Sequence, residues 1–205
     1  TVSSDNYDFI SYAYFNYYIN NEDSPTFASR GWKFNLNGKY IMPVIKMDDG
    51  SMMKNSIVLK ADVSGSIAIG KRHSLKIGAT LGSSLLQEEP PLSYQFFVGG
   101  QSNMNYFDNI ISFDGLRFTQ LYGDHIAIAK MSWQYNFYKN LYAIANVNGG
   151  YINSDYNSWF SDKSFVFGCG LTFGIETMAG PIELSLMGSN RCSDLVGFLN
   201  VGYWF

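Results

Sequence analysis

The chain has 205 residues, of which 46% are hydrophobic and 17% aromatic but only 15% charged, and its net charge is -3. Charge this sparse falls below the quarter or so of a soluble domain, and without a lysine and arginine cluster it excludes an electrostatic nucleic-acid interface. No apolar run approaches the roughly 18 residues of a spanning helix, and two cysteines, Cys169 and Cys192, are too few for a disulfide scaffold and lack C-x-x-C spacing.

Nine segments repeat with a period of two, over 7–20, 31–44, 55–70, 73–86, 124–138, 140–152, 163–177, 181–189 and 195–205. In the second, Trp32, Phe34 and Leu36 alternate with Lys33, Asn35 and Asn37. In the third, Leu59, Ala61, Val63 and Ile67 alternate with Val58, Lys60, Asp62, Ser64 and Ser66; in the fourth, Leu75, Ile77 and Leu81 alternate with Lys76, Gly78 and Thr80. The seventh is the clearest, with Phe165, Phe167, Cys169, Leu171, Phe173 and Ile175 opposing Val166, Gly168, Gly170, Thr172, Gly174 and Glu176. Ile182, Leu184 and Leu186 oppose Glu183, Ser185 and Met187 in the eighth. A helix would spread the polar residues over several faces, whereas a strand puts them on one.

A soluble lipocalin-like barrel would turn the apolar face inward, and an outer-membrane barrel turns it out to lipid with the polar face lining a lumen. Three features favour the membrane. The segments run about ten residues or more, as a tilted spanning strand requires. Short turns near 71–73, 138–140 and 178–181 alternate with long polar connections at 46–55, 87–124 and 153–162, as periplasmic turns alternate with external loops. Tyr40, Tyr138, Tyr142, Tyr151, Trp159, Tyr203 and Trp204 fall near strand ends, where an interfacial girdle belongs. The pattern thus predicts an antiparallel transmembrane β-barrel, with 87–123 as a long external loop. Lys33, Lys39, Lys60, Asp62, Lys76, Glu176 and Glu183 are expected to solvate the interior. Cys169 is expected to face lipid and Cys192 to lie on an outer loop, so no disulfide joins them.

Strand parity adds an expectation about the ends. With a periplasmic turn at 178–181, Phe205 ends in the periplasm and Thr1 lies outside, whereas single-chain bacterial barrels have even strand counts. Further strands are therefore expected before Thr1 or from another chain, because an unpaired first strand is costly in lipid. An edge-to-edge homo-oligomer is one arrangement that would supply them.

The chain closes on Leu195-Val196-Gly197-Phe198-Leu199-Asn200-Val201-Gly202-Tyr203-Trp204-Phe205, in which Leu199, Val201, Tyr203 and Phe205 share one face. This resembles the C-terminal targeting signal of bacterial outer-membrane barrels, which implies recognition by the barrel-assembly machinery. The stretch Tyr94 to Phe107, with Phe97, Gly99, Gly100, Asn105, Tyr106 and Phe107, resembles the F-x-x-G-G-x-x-x-V-R-G-F loop of the BamA/TamA outer-membrane superfamily, and five strands follow it here as there; the resemblance implies that the 87–123 loop folds back into the barrel lumen. Gly170 to Leu186, with its turn at Gly180-Pro181, is similar to that superfamily's penultimate hairpin, and 19–32 to its turn with Pro-Thr and a Gly. Where insertase members carry V-R-G-F this chain has Met104-Asn105-Tyr106-Phe107, which sets it apart from them. Asn109 to Phe118 and Trp133 to Tyr142 look like the barrel domain of bacterial patatin-like phospholipases. That resemblance implies the C-terminal portion of a sixteen-stranded barrel in the bacterial cell outer membrane.

The expected partners are outer-membrane lipids, the assembly machinery, and lipase or other periplasmic domains upstream. The expected role is to anchor, and help translocate, a phospholipase domain. An insertase subunit and a stand-alone pore or adhesion barrel are the alternatives. No catalytic residue, metal or cofactor is expected in this chain. There is no G-x-S-x-G nucleophile turn, and His73 and His125 are its two histidines, read as solvated strand-end residues. Asp48-Asp49-Gly50 lacks the further carboxylates of a calcium loop, Gly99-Gly100 precedes no helix that would make it a phosphate cradle, and Glu88-Glu89-Pro90-Pro91 reads as a solvated loop entry.

Overall fold

The period-two pattern becomes one antiparallel sheet. A computed structural model describes residues 9–44, 55–85, 95–101, 108–155 and 164–202, and nine long strands in it pair in chain order. They are β1 (Phe9–Asn20), β2 (Gly31–Val44), β3 (Ser56–Ile69) and β4 (His73–Leu85), then β8 (His125–Tyr138), β9 (Leu141–Asn153), β10 (Phe165–Thr177), β11 (Gly180–Ser189) and β12 (Cys192–Val201). Three short strands, β5 (Phe96–Val98), β6 (Ile110–Ile111) and β7 (Leu121–Gly123), form a separate sheet. Because β4 pairs directly with β8, from His73↔Tyr135 to Ser83↔His125, the described residues between them, 95–101 and 108–123, stand off the ladder on one face. β1 and β12 are the two edges and do not pair with each other.

Side chains sort by parity as the sequence requires. Along β10, Phe165, Phe167, Cys169, Leu171, Phe173 and Ile175 are exposed, while Val166, Gly168, Thr172 and Gly174 are buried. Leu171 and Phe173 are each 57% exposed and Thr172 between them 4%. Leu59, Val63, Ile67, Ile77, Leu81, Met131, Trp133, Leu184 and Leu186 continue this apolar wall on neighbouring strands. A continuous apolar surface over nine strands is untenable in water and is what a lipid-facing wall requires. The opposite face is the inner one, and its polar residues are joined both along and across strands. Lys60 pairs with Asp62 at 3.1 Å, Thr80 donates to Asp62 at 2.7 Å, and Asn200 donates to Glu183 at 3.0 Å.

Several sequence expectations need correction. The last strand begins at Cys192 rather than 195, because Ser189↔Cys192 closes a tight turn at Asn190-Arg191. Cys192 is thus a strand residue and not part of an outer loop, and both it and Cys169 are free thiols. The turn before β11 shrinks to Met178-Ala179, since Gly180 already pairs with Thr177. His73 opens β4, as a strand-end residue should, but its ring is not simply solvated: it stacks against those of Trp133 and Tyr135, at 5.5 and 4.7 Å, in the outward aromatic belt. Tyr142, assigned to that belt by its position, is on the inner face, stacked on Phe27 at 4.2 Å.

Candidate functional site

The site is the inner face together with the described parts of the 95–123 segment, 95–101 and 108–123, that cover it. At the end of the sheet where this segment emerges, apolar side chains enter the inward phase: Ile41, Val58, Ile126, Ile128, Ile152 and Val166 stand there beside the buried Ser56 and Ser84. The segment places Phe96, Val98, Ile111, Phe113 and Leu116 against these residues, in one buried cluster drawn from five strands of the wall. Each such side chain removed from water contributes about 1.5–3 kcal/mol, so the segment is held by a dry core of its own. A single cap touching β2, β3, β8, β9 and β10 requires that face to be concave.

Two glycine contacts let the backbones meet. A Cβ on Gly168 of β10 would collide with the Asp114 carbonyl. Gly115, at φ +84°, lies so close to the Gly188 carbonyl that no side chain fits. Polar contacts complete the docking. Lys130 Nζ donates to Ser112 Oγ at 2.6 Å and Ser189 Oγ donates to the Gly115 carbonyl at 2.8 Å, while Gln101 Nε2 donates to Asp114 at 2.9 Å within the segment itself. Lys39 and Asp108 pair at 3.1 Å on one side of the sheet, and Arg117 and Asp194 at 3.2 Å on the other. Lys130→Met removes a charge-assisted hydrogen bond of about 1.5–3 kcal/mol. It should therefore make the segment about ten- to a hundredfold more accessible to limited proteolysis, with Lys130→Arg nearer the native protein.

Of the motif residues read from the sequence, Phe97, Gly99 and Gly100 lie inside this docked unit. Phe97 belongs to β5, with its ring 6.5 Å from that of Tyr122. The Gly99 and Gly100 amides donate to the carbonyls of Ile111 and Leu116, both at 3.0 Å. Those donors are consumed in folding the segment and are not offered to an anion. Asn105, Tyr106 and Phe107 lie outside the described residues, as do Tyr203 and Phe205 of the terminal signature, the girdle residues Trp159 and Trp204, Asp48-Asp49-Gly50 and the 88–91 loop entry. Leu199 and Val201 share the exposed outward face of β12. Gly180 takes φ +116° to open β11, and the Pro181 carbonyl accepts the Gly202 amide at 2.8 Å.

Sequence reasoning did not single out Lys130, Ser112, Asp108 or Asp114. The available signal was apolar residues in the polar phase: Val58, Ile126, Ile128, Ile152 and Val166 all break the inward pattern at the same end of the sheet.

Among the described residues no three of His, Cys, Asp or Glu group as a metal site. Ser83 Oγ and His125 Nδ1 lie 2.8 Å apart across the β4–β8 ladder, but His125 is 6% exposed, too covered to receive an acyl substrate.

Asp124, between β7 and β8, is the titratable group at the segment's exit. Burial raises its carboxyl above the usual range, with hydrogen bonds from Gln95 and Ser154 opposing. A raised folded-state value means that ionisation opposes folding: the penalty is full above the folded value and vanishes below the unfolded one. Asp124→Asn is accordingly expected to raise the unfolding temperature at pH 7, with the gain shrinking as the pH falls through the carboxylate range.

Comparison with known proteins bears on this arrangement. A family model described as the OMP85 superfamily matches residues 1–205. No curated protein matches the chain.

Proposed function

The chain belongs to the OMP85 superfamily, a family of outer-membrane β-barrels, and on that premise we propose that it is the anchoring barrel of a patatin-like phospholipase. The barrel holds the lipase domain at the outer membrane and assists its passage, and no bond is made or broken by this chain. The observation that carries the reading is the division of labour between the faces. The outer one is continuously apolar, as a lipid anchor needs, and the inner one is occupied by a segment fixed through its own apolar core and the Lys130–Ser112 bond. The phospholipase assignment is supported by the resemblance of Asn109 to Phe118 and Trp133 to Tyr142 to barrels of that group. An insertase reading draws on the unpaired edges of β1 and β12, because such a role needs a weak seam.

The two are separated by expressing the complete polypeptide and a version with 95–123 replaced by a short linker. An anchor should leave phospholipase turnover in detergent unchanged and lose lipase from the outer-membrane fraction. If the complete protein has no lipase activity and its depletion lowers the levels of other outer-membrane barrels, the insertase reading replaces this one.

A further inference from the structure

The connection between β1 and β2, residues 21–30, emerges at the opposite end of the sheet from the docked segment. The neighbouring turns at that end, 70–72, 139–140 and 178–179, are two or three residues long and stay outside. This one is ten residues long and folds inward. Asp23 Oδ1 accepts the amides of Ser29 and Arg30, at 2.8 and 3.1 Å, and draws the connection into a compact loop. Gly31, at φ +107°, then sets β2 off beside the Asn21 carbonyl, where a Cβ would collide.

The loop reaches far across the inner face. Glu22, with its side chain 4% exposed, accepts Lys76 Nζ of β4 at 2.7 Å. Gln134 Nε2 of β8 donates to the Phe27 carbonyl at 3.3 Å. The Phe27 ring is 3% exposed, stacked on Tyr142 of β9 within 17° of parallel. It also fills the space that a Cβ on Gly174 of β10 would need. Lys76, Gln134, Tyr142 and Gly174 all point inward. A connection that begins between the first two strands thus bridges to the fourth and to three strands beyond the docked segment.

We propose that 21–30 is a second closure, a wedge that seals the short-turn mouth of the lumen while 95–123 seals the other. Traffic through the interior then requires two independent openings, and Phe27 with the Glu22–Lys76 pair is the latch of the second. This rests on the membrane-barrel reading above.

The test uses the complete protein reconstituted in lipid vesicles, with Cys169→Ser and Cys192→Ser removing the native thiols. A reporter, Asn146→Cys, is placed on the inner face of β9, between the wedge and the docked segment. A membrane-impermeant maleimide is supplied from the short-turn side. Phe27→Ala combined with Glu22→Gln should speed labelling at least tenfold, Lys76→Met about threefold, and Phe27→Leu hardly at all. Equal rates in the native and double-variant barrels, each confirmed as folded by heat-dependent gel mobility, overturn the proposal. If the double variant yields no folded barrel, Lys76→Met decides, and an unchanged rate there overturns it too. Failure of the membrane-barrel reading would look different: Leu171→Cys in the chain that carries Cys169→Ser and Cys192→Ser but is otherwise native would label rapidly from water.

Discussion

Leu171→Arg is expected to destabilise the folded barrel by about 2–4 kcal/mol, the cost of a cation at the lipid midplane of a barrel wall. Leu171 is at the centre of β10, 57% exposed, flanked across the ladders by Ala145 and Leu186. Asn146→Lys is the matched control. Asn146 is inward on the adjacent strand and donates to Thr172 Oγ1 at 3.3 Å, so its loss should cost no more than about 1 kcal/mol. Urea titration in lipid vesicles, followed by tryptophan fluorescence, measures both. Equal costs would mean that the two faces see the same medium, which a barrel in a membrane does not allow.

The second large effect is expected at Phe113. It is 1% exposed and belongs to the cluster that seats 95–123 on the inner wall. Phe113→Ala leaves a cavity costing about 3–5 kcal/mol. That loss falls on the segment and not on the wall, because no strand of the nine contains Phe113. Limited proteolysis should therefore cut within 95–123 while the barrel keeps its heat-dependent gel mobility. If the whole barrel melts with the segment, the seat is part of the wall's folding core and cannot act as a detachable plug.

The wall was largely legible in the sequence because lipid and lumen impose opposite demands on alternate residues. Each of the nine periodic segments has a strand within a few residues of its expected bounds. The last strand differs most, since its first residues, Cys192 to Asp194, carry no alternation and are set instead by the tight turn to β11. What covers the inner face was far less legible. β5, β6 and β7 have two or three residues each, too few for a period to register, and their places depend on contacts with distant strands. Phe27 is similar: it lies in a polar connection without periodicity, and only the room at Gly174 and the ring of Tyr142 give it a seat. Lys130 was in the expected polar phase, yet nothing local marks it above Lys60 or Lys76; its partner Ser112 lies on the docked segment. Tyr142 misled for the same reason. Its position near a strand end fits a girdle, but its parity puts it inside.

The orientation of the wall is the claim on which the rest depends, and spin-label accessibility along β10 tests it most directly. Nitroxides would be placed one at a time at positions 166 to 175 of the complete protein in lipid vesicles, with the native thiols replaced where they are not the labelled site. Collisions with dissolved oxygen and with a water-soluble nickel complex are then compared. Oxygen accessibility should peak at 167, 169, 171, 173 and 175 and fall at the even positions, with nickel accessibility low at the odd ones. A profile without the two-residue alternation, or with the odd positions open to nickel, would contradict a lipid-facing barrel wall.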